Sequence, residues 1–270
     1  MTDDLVTGRD YLTKRQYASD RNLAARQSIY AYQDPMLDIW SRAFELAALE
    51  REHRVLDIGC GNGRYLGALR ERGHRGGRWG LDLSAGMLEA ARPLAGPEAG
   101  LGVGDARTLP FRDHAFDVVL AMHMLYHVAD RAAAVAEMRR VLAPQGRAVV
   151  LTNSAVHLDE LDAALAASAR RAGMEDPPIA RSYLSFTAEN GTDVLGATFD
   201  RVERHDLTSQ LHITDVEPVL AYAESMRAFV VDDDGDLEPV LANLAEIVRA
   251  TIDRDGEFRA RTAMGMFVCS

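Results

Sequence analysis

Cysteine is scarce: Cys60 and Cys269 are the two in a chain of 270 residues. Two thiols build no disulfide framework, so a reducing setting, the cytoplasm, is expected. Long apolar runs are missing too. None approaches the roughly 20 residues that span a bilayer, and residues 1–9 are polar and acidic, without the apolar stretch of a secretory signal. No membrane partner is therefore expected. Positive charge is in deficit, with 30 Lys and Arg against 41 Asp and Glu and a net charge of -11. Such a surface repels phosphate backbones, so no nucleic-acid partner is expected either. His and Cys do not fall at metal-ligand spacing, which leaves a metal-assisted reaction unsupported. The acidic run 232–236 lacks the ligand spacing and terminal Glu of a calcium loop and reads as a solvated linker. No repeat at solenoid period is present.

What is there is a globular composition, 47% hydrophobic and 26% charged. Residues 20–50 are patterned as helices, with Leu23, Ile29 and Tyr30 on one apolar face and Leu37, Trp40 and Phe44 on the next after Asp34-Pro35. Short apolar strands then follow at 54–58, 78–83, 100–103, 116–122 and 147–152, separated by helical stretches at 64–72, after Ser84 (a candidate N-cap) through Met87, Leu88 and Ala91, and at 129–142. Strand–helix alternation implies right-handed crossovers and a parallel sheet. The unbroken apolarity of Val118-Val119-Leu120 and Val149-Val150-Leu151 implies helices on both of its faces. Beyond residue 153 helices are expected at 157–171, 188–199, 215–229 and 237–252, and extended chain at 201–208 and 262–269, with Asp176-Pro177-Pro178 as a break. The expected fold is α/β, a Rossmann-like, mostly parallel sheet flanked by helices. Residues 1–50 form an N-terminal helical cap, 51–153 the ligand-binding core, and 154–270 the rest of the sheet with helical insertions, all in a single catalytic domain. The insertions read either as a lid over the strand ends, where open α/β sheets bind ligands, or as additional core and oligomer helices.

The most informative segment is Val55-Leu56-Asp57-Ile58-Gly59-Cys60-Gly61-Asn62-Gly63, a strand running into glycines and then a helix. Glycines turn the chain tightly and let a ligand approach the backbone. The spacing is Gly-x-Gly-x-Gly, whereas a dinucleotide fingerprint needs Gly-x-Gly-x-x-Gly, and Arg64 stands where its last glycine belongs. Asp57 would repel a pyrophosphate and help hold an ammonium, so the loop suits a cofactor with a cationic amino-acid end better than NAD. Asp82 closes the next strand, where a carboxylate meets ribose hydroxyls. Asp105 follows the third, where it could accept from an adenine amino group. Any one of these acids alone is an ordinary cap or turn residue; three at consecutive strand ends behind this loop are hard to explain as caps.

These stretches, with Phe116 to Val128 and Met138 to Gly146, resemble the class I S-adenosylmethionine (SAM)-dependent methyltransferases, in the subgroup of small-molecule and ubiquinone-pathway enzymes. The resemblance covers about residues 50–153 and departs mildly at Pro144-Gln145-Gly146, where the family has Pro-Gly-Gly. It implies SAM as cofactor, with Asp57, Gly59, Cys60 and Gly61 bordering its methionine end. Asp82 would take the ribose hydroxyls, Leu83 and Met87 flank the adenosine, Asp105 and Ala106 read the adenine edge, and Ala121 and Met122 line the methionine side. The stretch from Tyr17 to Arg26 resembles a helix that closes over SAM in some of these enzymes. Tyr17 and Arg26 are then candidate cofactor contacts, Arg26 at the carboxylate; the alternative is a solvated helix face.

SAM supplies a methyl that already has its leaving group, so what the protein must do is align the acceptor. His123 and His127, just after the fourth strand, are the candidate catalytic residues, since imidazole titrates near neutrality; His127 alternatively only hydrogen-bonds its loop. Tyr126, His157, Tyr183, Phe186, His212 and Tyr222 are further candidates for an acceptor pocket or for packing. The expected activity is methyl transfer to O, N or C of a small-molecule acceptor. An RNA or protein methyltransferase would need a basic face around Arg139-Arg140 and Arg170-Arg171, pairs that sit on separate helices. A third reading is a protein that binds SAM without transferring its methyl, because binding and transfer use the same loops.

Overall fold

A computed structural model describes residues 7–9, 12, 13, 17, 20–174, 182–227, 230 and 235–270. The expected break at Pro177-Pro178 lies outside the described residues, as does most of the acidic run 232–236. In chain order the helices are α1 (Arg21–Ser28), α2 (Ile39–Leu46), α3 (Arg64–Glu71), α4 (Ala85–Ala95), α5 (Arg131–Val141), α6 (Asp159–Arg171), α7 (Gly191–Gly196), α8 (Glu217–Ser225) and α9 (Glu238–Asp255). The strands are β1 (Gln33–Asp34), β2 (Val55–Ile58), β3 (Arg78–Asp82), β4 (Gly100–Val103), β5 (Phe116–Met122), β6 (Leu142–Asn153), β7 (Val202–Ile213) and β8 (Phe258–Cys269).

One mixed sheet runs in the order β1-β7-β8-β6-β5-β2-β3-β4. The five strands β4, β3, β2, β5 and β6 are parallel; β8 pairs antiparallel with β6, β7 antiparallel with β8, and β1 antiparallel with β7. Central strand β5 alternates between the faces: Val119 and Ala121 enter one apolar cluster, and Val118, Leu120 and Met122 the other. Both faces are covered, which is why this strand is apolar at consecutive positions. Truncating a fully buried leucine here, Leu120 for example, costs about 2–5 kcal/mol.

Several boundaries differ from those the sequence suggests. The helix after Asp34-Pro35 begins at Ile39, because Asp38 accepts the Ser41 amide at 2.9 Å and acts as its N-cap. The stretch 188–199 shrinks to α7, since Ala188 instead gives its amide to the Asn153 carbonyl. Strands β7 and β8 are each 12 residues long, far longer than their patterns suggest, because pairing with each other carries them past the rest of the sheet.

That overhang shapes the site. β8 leaves β6 at Met264 opposite Asn153, and its first half continues beyond the carboxyl ends of the parallel strands, paired only with β7. Helices α6, α8 and α9 pack on the overhang around Leu161, Leu165, Val219, Leu244, Phe258 and Ala260. Ile29, from the turn after α1, joins the same cluster, and β1 zips onto β7 at Gln33 and Asp34. The N-terminal segment and the C-terminal helices therefore meet above one edge of the sheet, the edge where β2, β3, β5 and β6 all end.

Candidate active site

Gly59 turns the chain at φ +67°, and a Cβ there would lie 2.8 Å from the Met124 Cβ. Gly63 opens α3 at φ +79°, and a Cβ would come within 2.9 Å of the Ala91 Cβ. The loop between them is pinned to the neighbouring strand: the amides of Gly59 and Cys60 both donate to the Leu81 carbonyl, at 2.7 and 3.0 Å. The result is a bare backbone ledge at the end of β2.

The three acids are treated differently by their surroundings. Asp57 is 1% exposed, and neither of its carboxylate oxygens has a hydrogen-bond partner among the described residues. Burial, and secondarily the charge of Asp82, push its carboxyl well above the usual range. Asp82 accepts the Gly61 amide on Oδ2 and the Ser84 amide on Oδ1, both at 2.9 Å. Its carboxyl is raised by burial, with the amides of Ser84, Gly61 and Leu83 pulling the other way. Asp105 is paired with Arg107 at 2.7 Å, and hydrogen bonding to that guanidinium holds its carboxyl below the usual range. Ser84 caps α4 by accepting the Met87 amide, and its hydroxyl also donates to the Tyr17 carbonyl at 2.6 Å.

Over this edge lies a cavity of about 840 Å³. Asp57, Gly59, Cys60, Gly61, Asp82, Leu83, Met87, Asp105, Ala106 and Met122 line it, and so do Tyr17, Arg26, His123 and His127. Ala121 does not: it is fully buried within the core, because a strand sends successive side chains to opposite faces and Met122 takes the cavity side. Of the acceptor-pocket candidates, Tyr126, His157 and Tyr222 line the cavity. Phe186 is instead packed on Phe267 in the core, and His212 bonds Glu257 at 3.0 Å on the overhang. The side chain of Tyr183 lies outside the described residues.

The two candidate catalytic histidines differ. His127 ends a 3-10 turn (Leu125–His127), and its Nε2 is 3.0 Å from the Tyr17 hydroxyl. His123 stands directly after β5 at φ +55°, a left-handed conformation rare for a residue with a side chain. Burial alone lowers its imidazole from 6.5 to about 4, so it is neutral at physiological pH. Residues that the pattern missed also reach the cavity: Tyr30, Gln33, Asn153 and Met264. Tyr30 reads in the sequence as part of an apolar helix face. In fact it sits in a 3-10 turn (Ile29–Tyr32), with its hydroxyl 2.9 Å from His157 Nε2.

Residues 56–150 match the family model described as a methyltransferase domain. Over those residues the chain carries a methyltransferase domain. The residues matched are those that build β2 to β6 and the ledge, so the methyltransferase domain supplies the cradle, and what covers it comes from outside the match. Among similar proteins, a demethylmenaquinone methyltransferase of Thermus thermophilus is 40% identical over 113 residues, 41% of this chain and 51% of that protein. A malonyl-[acyl-carrier protein] O-methyltransferase of Serratia marcescens is 32% identical over 157 residues, 58% of this chain and 60% of that protein. The chain thus spans between half and two thirds of the length of these two relatives. The crystal structure of a candidate methyltransferase from Bacillus halodurans C-125 superposes with a TM-score of 0.61 at 18% identity, covering 86% of this chain and 98% of that one. The [4+2]-cyclase SpnF shares the fold as well, with a TM-score of 0.51 at 22% identity over 86% of this chain and 79% of its own. Among the described residues, no helix is long and apolar enough to cross a membrane.

Proposed function

We propose that the protein transfers a methyl group from SAM to a small-molecule acceptor enclosed between the sheet edge and the helical cover. The observation that carries this reading is the continuity of the cavity, which runs from the glycine ledge and its acids to His123, Asn153 and His157. The residues fit the cofactor. Asp57 is a buried carboxylate lacking a protein donor among the described residues, and a ligand ammonium would give it a counter-charge. Asp82 is held by two amides with lone pairs to spare for ribose hydroxyls, and the bare backbone of Gly59 and Gly61 leaves room beside it. Leu83 and Met87 would flank the adenosine, Asp105 and Ala106 its adenine edge, Cys60 and Met122 the methionine side, with Tyr17 and Arg26 closing above.

Bound there, SAM supplies an electrophilic methyl on a sulfonium. The protein would exclude water, align the acceptor and, for a hydroxyl or protonated amine, take up a proton. We assign that proton uptake to His123, which lines the cavity directly after β5, whereas His127 is engaged by Tyr17; burial lowers the His123 imidazole to about 4, so it acts as a weaker base than a free imidazole. A cytoplasmic setting accords with Cys60 and Cys269 both being buried free thiols.

The net charge of -11 disfavours a nucleic-acid substrate, and Arg140, half of one basic pair, is already tied to Glu137 and Asp113. Because a [4+2]-cyclase shares the fold, turnover decides between transfer and binding alone. Purified protein supplied with methyl-labelled SAM and cell extract should place label in the solvent-soluble, low-mass fraction. Label in RNA or protein, or none anywhere despite tight binding of S-adenosylhomocysteine, would overturn the reading.

A further inference from the structure

The far end of the cavity holds a built hydrogen-bond chain. His157 is 2% exposed, and its Nδ1 lies 3.1 Å from both the amide nitrogen and the carbonyl oxygen of Ala263. That carbonyl already accepts the Ser154 amide at 2.9 Å. The Ala263 amide, by contrast, stands just past the last β6–β8 pair, Asn153 with Met264, where β6 offers it no carbonyl, while Thr208 of β7 flanks Ala263 on the opposite edge. A buried amide left without an acceptor costs about 1–3 kcal/mol, so Nδ1 serves as the acceptor and the ring proton resides on Nε2. Burial supports this by driving the imidazole from 6.5 down to about 3, which keeps it neutral with a single N–H.

The consequence falls on Tyr30. With Nε2–H donating to its hydroxyl oxygen at 2.9 Å, the phenolic hydrogen is turned away from His157 and toward the cavity that Tyr30 lines. Burial also pushes the Tyr30 phenol upward, so it keeps that hydrogen. The overhang has therefore fixed, at the end opposite the glycine ledge, a neutral donor of defined direction. A hydroxyl that both accepts from an imidazole and donates onward is a stronger donor than an isolated one.

We propose that Tyr30 is a specificity-determining residue that donates its hydroxyl hydrogen to an uncharged carbonyl oxygen of the methyl acceptor, and that His157 is the positioning residue that aims it. The class of acceptor is then a carbonyl-bearing molecule, not a hydrocarbon-walled amine or a phosphate ester. This rests on the reading of the cavity as an acceptor site.

The test uses two probes of nearly the same shape, acetophenone and ethylbenzene, titrated into the full chain saturated with S-adenosylhomocysteine. The wild type should bind acetophenone about three- to tenfold more tightly, the worth of one net hydrogen bond. Tyr30→Phe should reduce that ratio to about one while leaving S-adenosylhomocysteine affinity unchanged. His157→Gln, which keeps an N–H near the place of Nε2, should preserve the preference, and His157→Phe should lose it. In nitrogen-15 spectra the His157 ring should carry its proton on Nε2, a readout that a merely structural role would not require. No preference for the carbonyl in the wild type, including no binding of either probe, overturns the proposal, as does a proton found on Nδ1. Should S-adenosylhomocysteine itself fail to bind, the methyltransferase reading fails separately, and the same titration of the free protein still decides the role of Tyr30.

Discussion

The Tyr17 hydroxyl lies 3.0 Å from Nε2 of His127, joining the N-terminal segment to the turn after β5 across 110 positions of sequence. The Ser84 hydroxyl secures the same tyrosine by its carbonyl at 2.6 Å, and the Arg26 guanidinium lies 5.4 Å from the centroid of its ring. One residue thus bridges the end of β3, the end of β5 and α1. With SAM placed as proposed, that arrangement would make Tyr17 a latch over the adenosine side of the cavity and His127 its catch.

Removing the latch should loosen the cover and leave the chemistry in place. Tyr17→Phe deletes one hydrogen bond and keeps the ring, a loss of about 1 kcal/mol. S-adenosylhomocysteine should dissociate about fivefold faster in stopped-flow measurements, with kcat little changed. An unaltered off-rate would show that the segment does not close the site.

His123 and His127 should separate cleanly in kinetics. His123→Ala is expected to lower kcat by about 100-fold, the lower end of general-base effects, with S-adenosylhomocysteine affinity intact. His127→Ala should instead resemble Tyr17→Phe. Because burial lowers His123 to about 4, the neutral, proton-accepting form persists well into acid. The histidine limb of kcat should fall near pH 4, not 6.5, leaving the rate flat across the range where an exposed histidine would titrate. Full activity in His123→Ala would remove the base assignment.

Asp82 carries the ribose assignment. Its oxygens also accept the Gly61 and Ser84 amides, so the residue shapes the loop it serves. Asp82→Asn keeps the volume and removes the charge, and Asp82→Ala removes both. Calorimetry should show S-adenosylhomocysteine affinity reduced at least about 30-fold in the alanine variant, equivalent to ~2 kcal/mol, with native circular dichroism. Undiminished affinity would contradict the assignment.

The cradle was legible in the sequence and its cover was not, for a physical reason. A glycine ledge and acids at strand ends are local: strand period, turn chemistry and position fix them within about 50 residues, from Asp57 to Asp105. Even there, the resemblance misled at one position: strand period two sends Ala121 and Met122, neighbours in sequence, to opposite sides of the sheet. The far end of the cavity is assembled from Tyr30, Asn153, His157 and Met264, brought together by the β7–β8 overhang, and a pairing of strands distant in sequence leaves no local signature. Tyr30 illustrates this most plainly. Its spacing reads as apolar helix face, and only the approach of His157, 127 positions away, makes its hydroxyl matter.

Asp57 is where stability and binding oppose each other. Its carboxyl is raised above the ordinary value by burial and by the charge of Asp82, and neither oxygen has a hydrogen-bond partner among the described residues. A carboxyl whose folded-state pKa is raised favours folding fully below its unfolded value. That contribution is lost as pH rises through the folded value, where the buried charge must be carried. At neutral pH the ligand-free protein is therefore held less stable than its packing allows. Asp57→Asn, which never ionises, should melt higher than wild type without ligand, by about 2–4 °C for each kcal/mol relieved, and the gap should narrow on acidification. The same variant should bind S-adenosylhomocysteine more weakly, because the ammonium loses its counter-charge. Wild-type binding should release a proton below the raised pKa, seen as a buffer-dependent heat in calorimetry that Asp57→Asn abolishes. A variant that melts lower than wild type, or that binds equally well with no change in proton release, would show that Asp57 faces no cation.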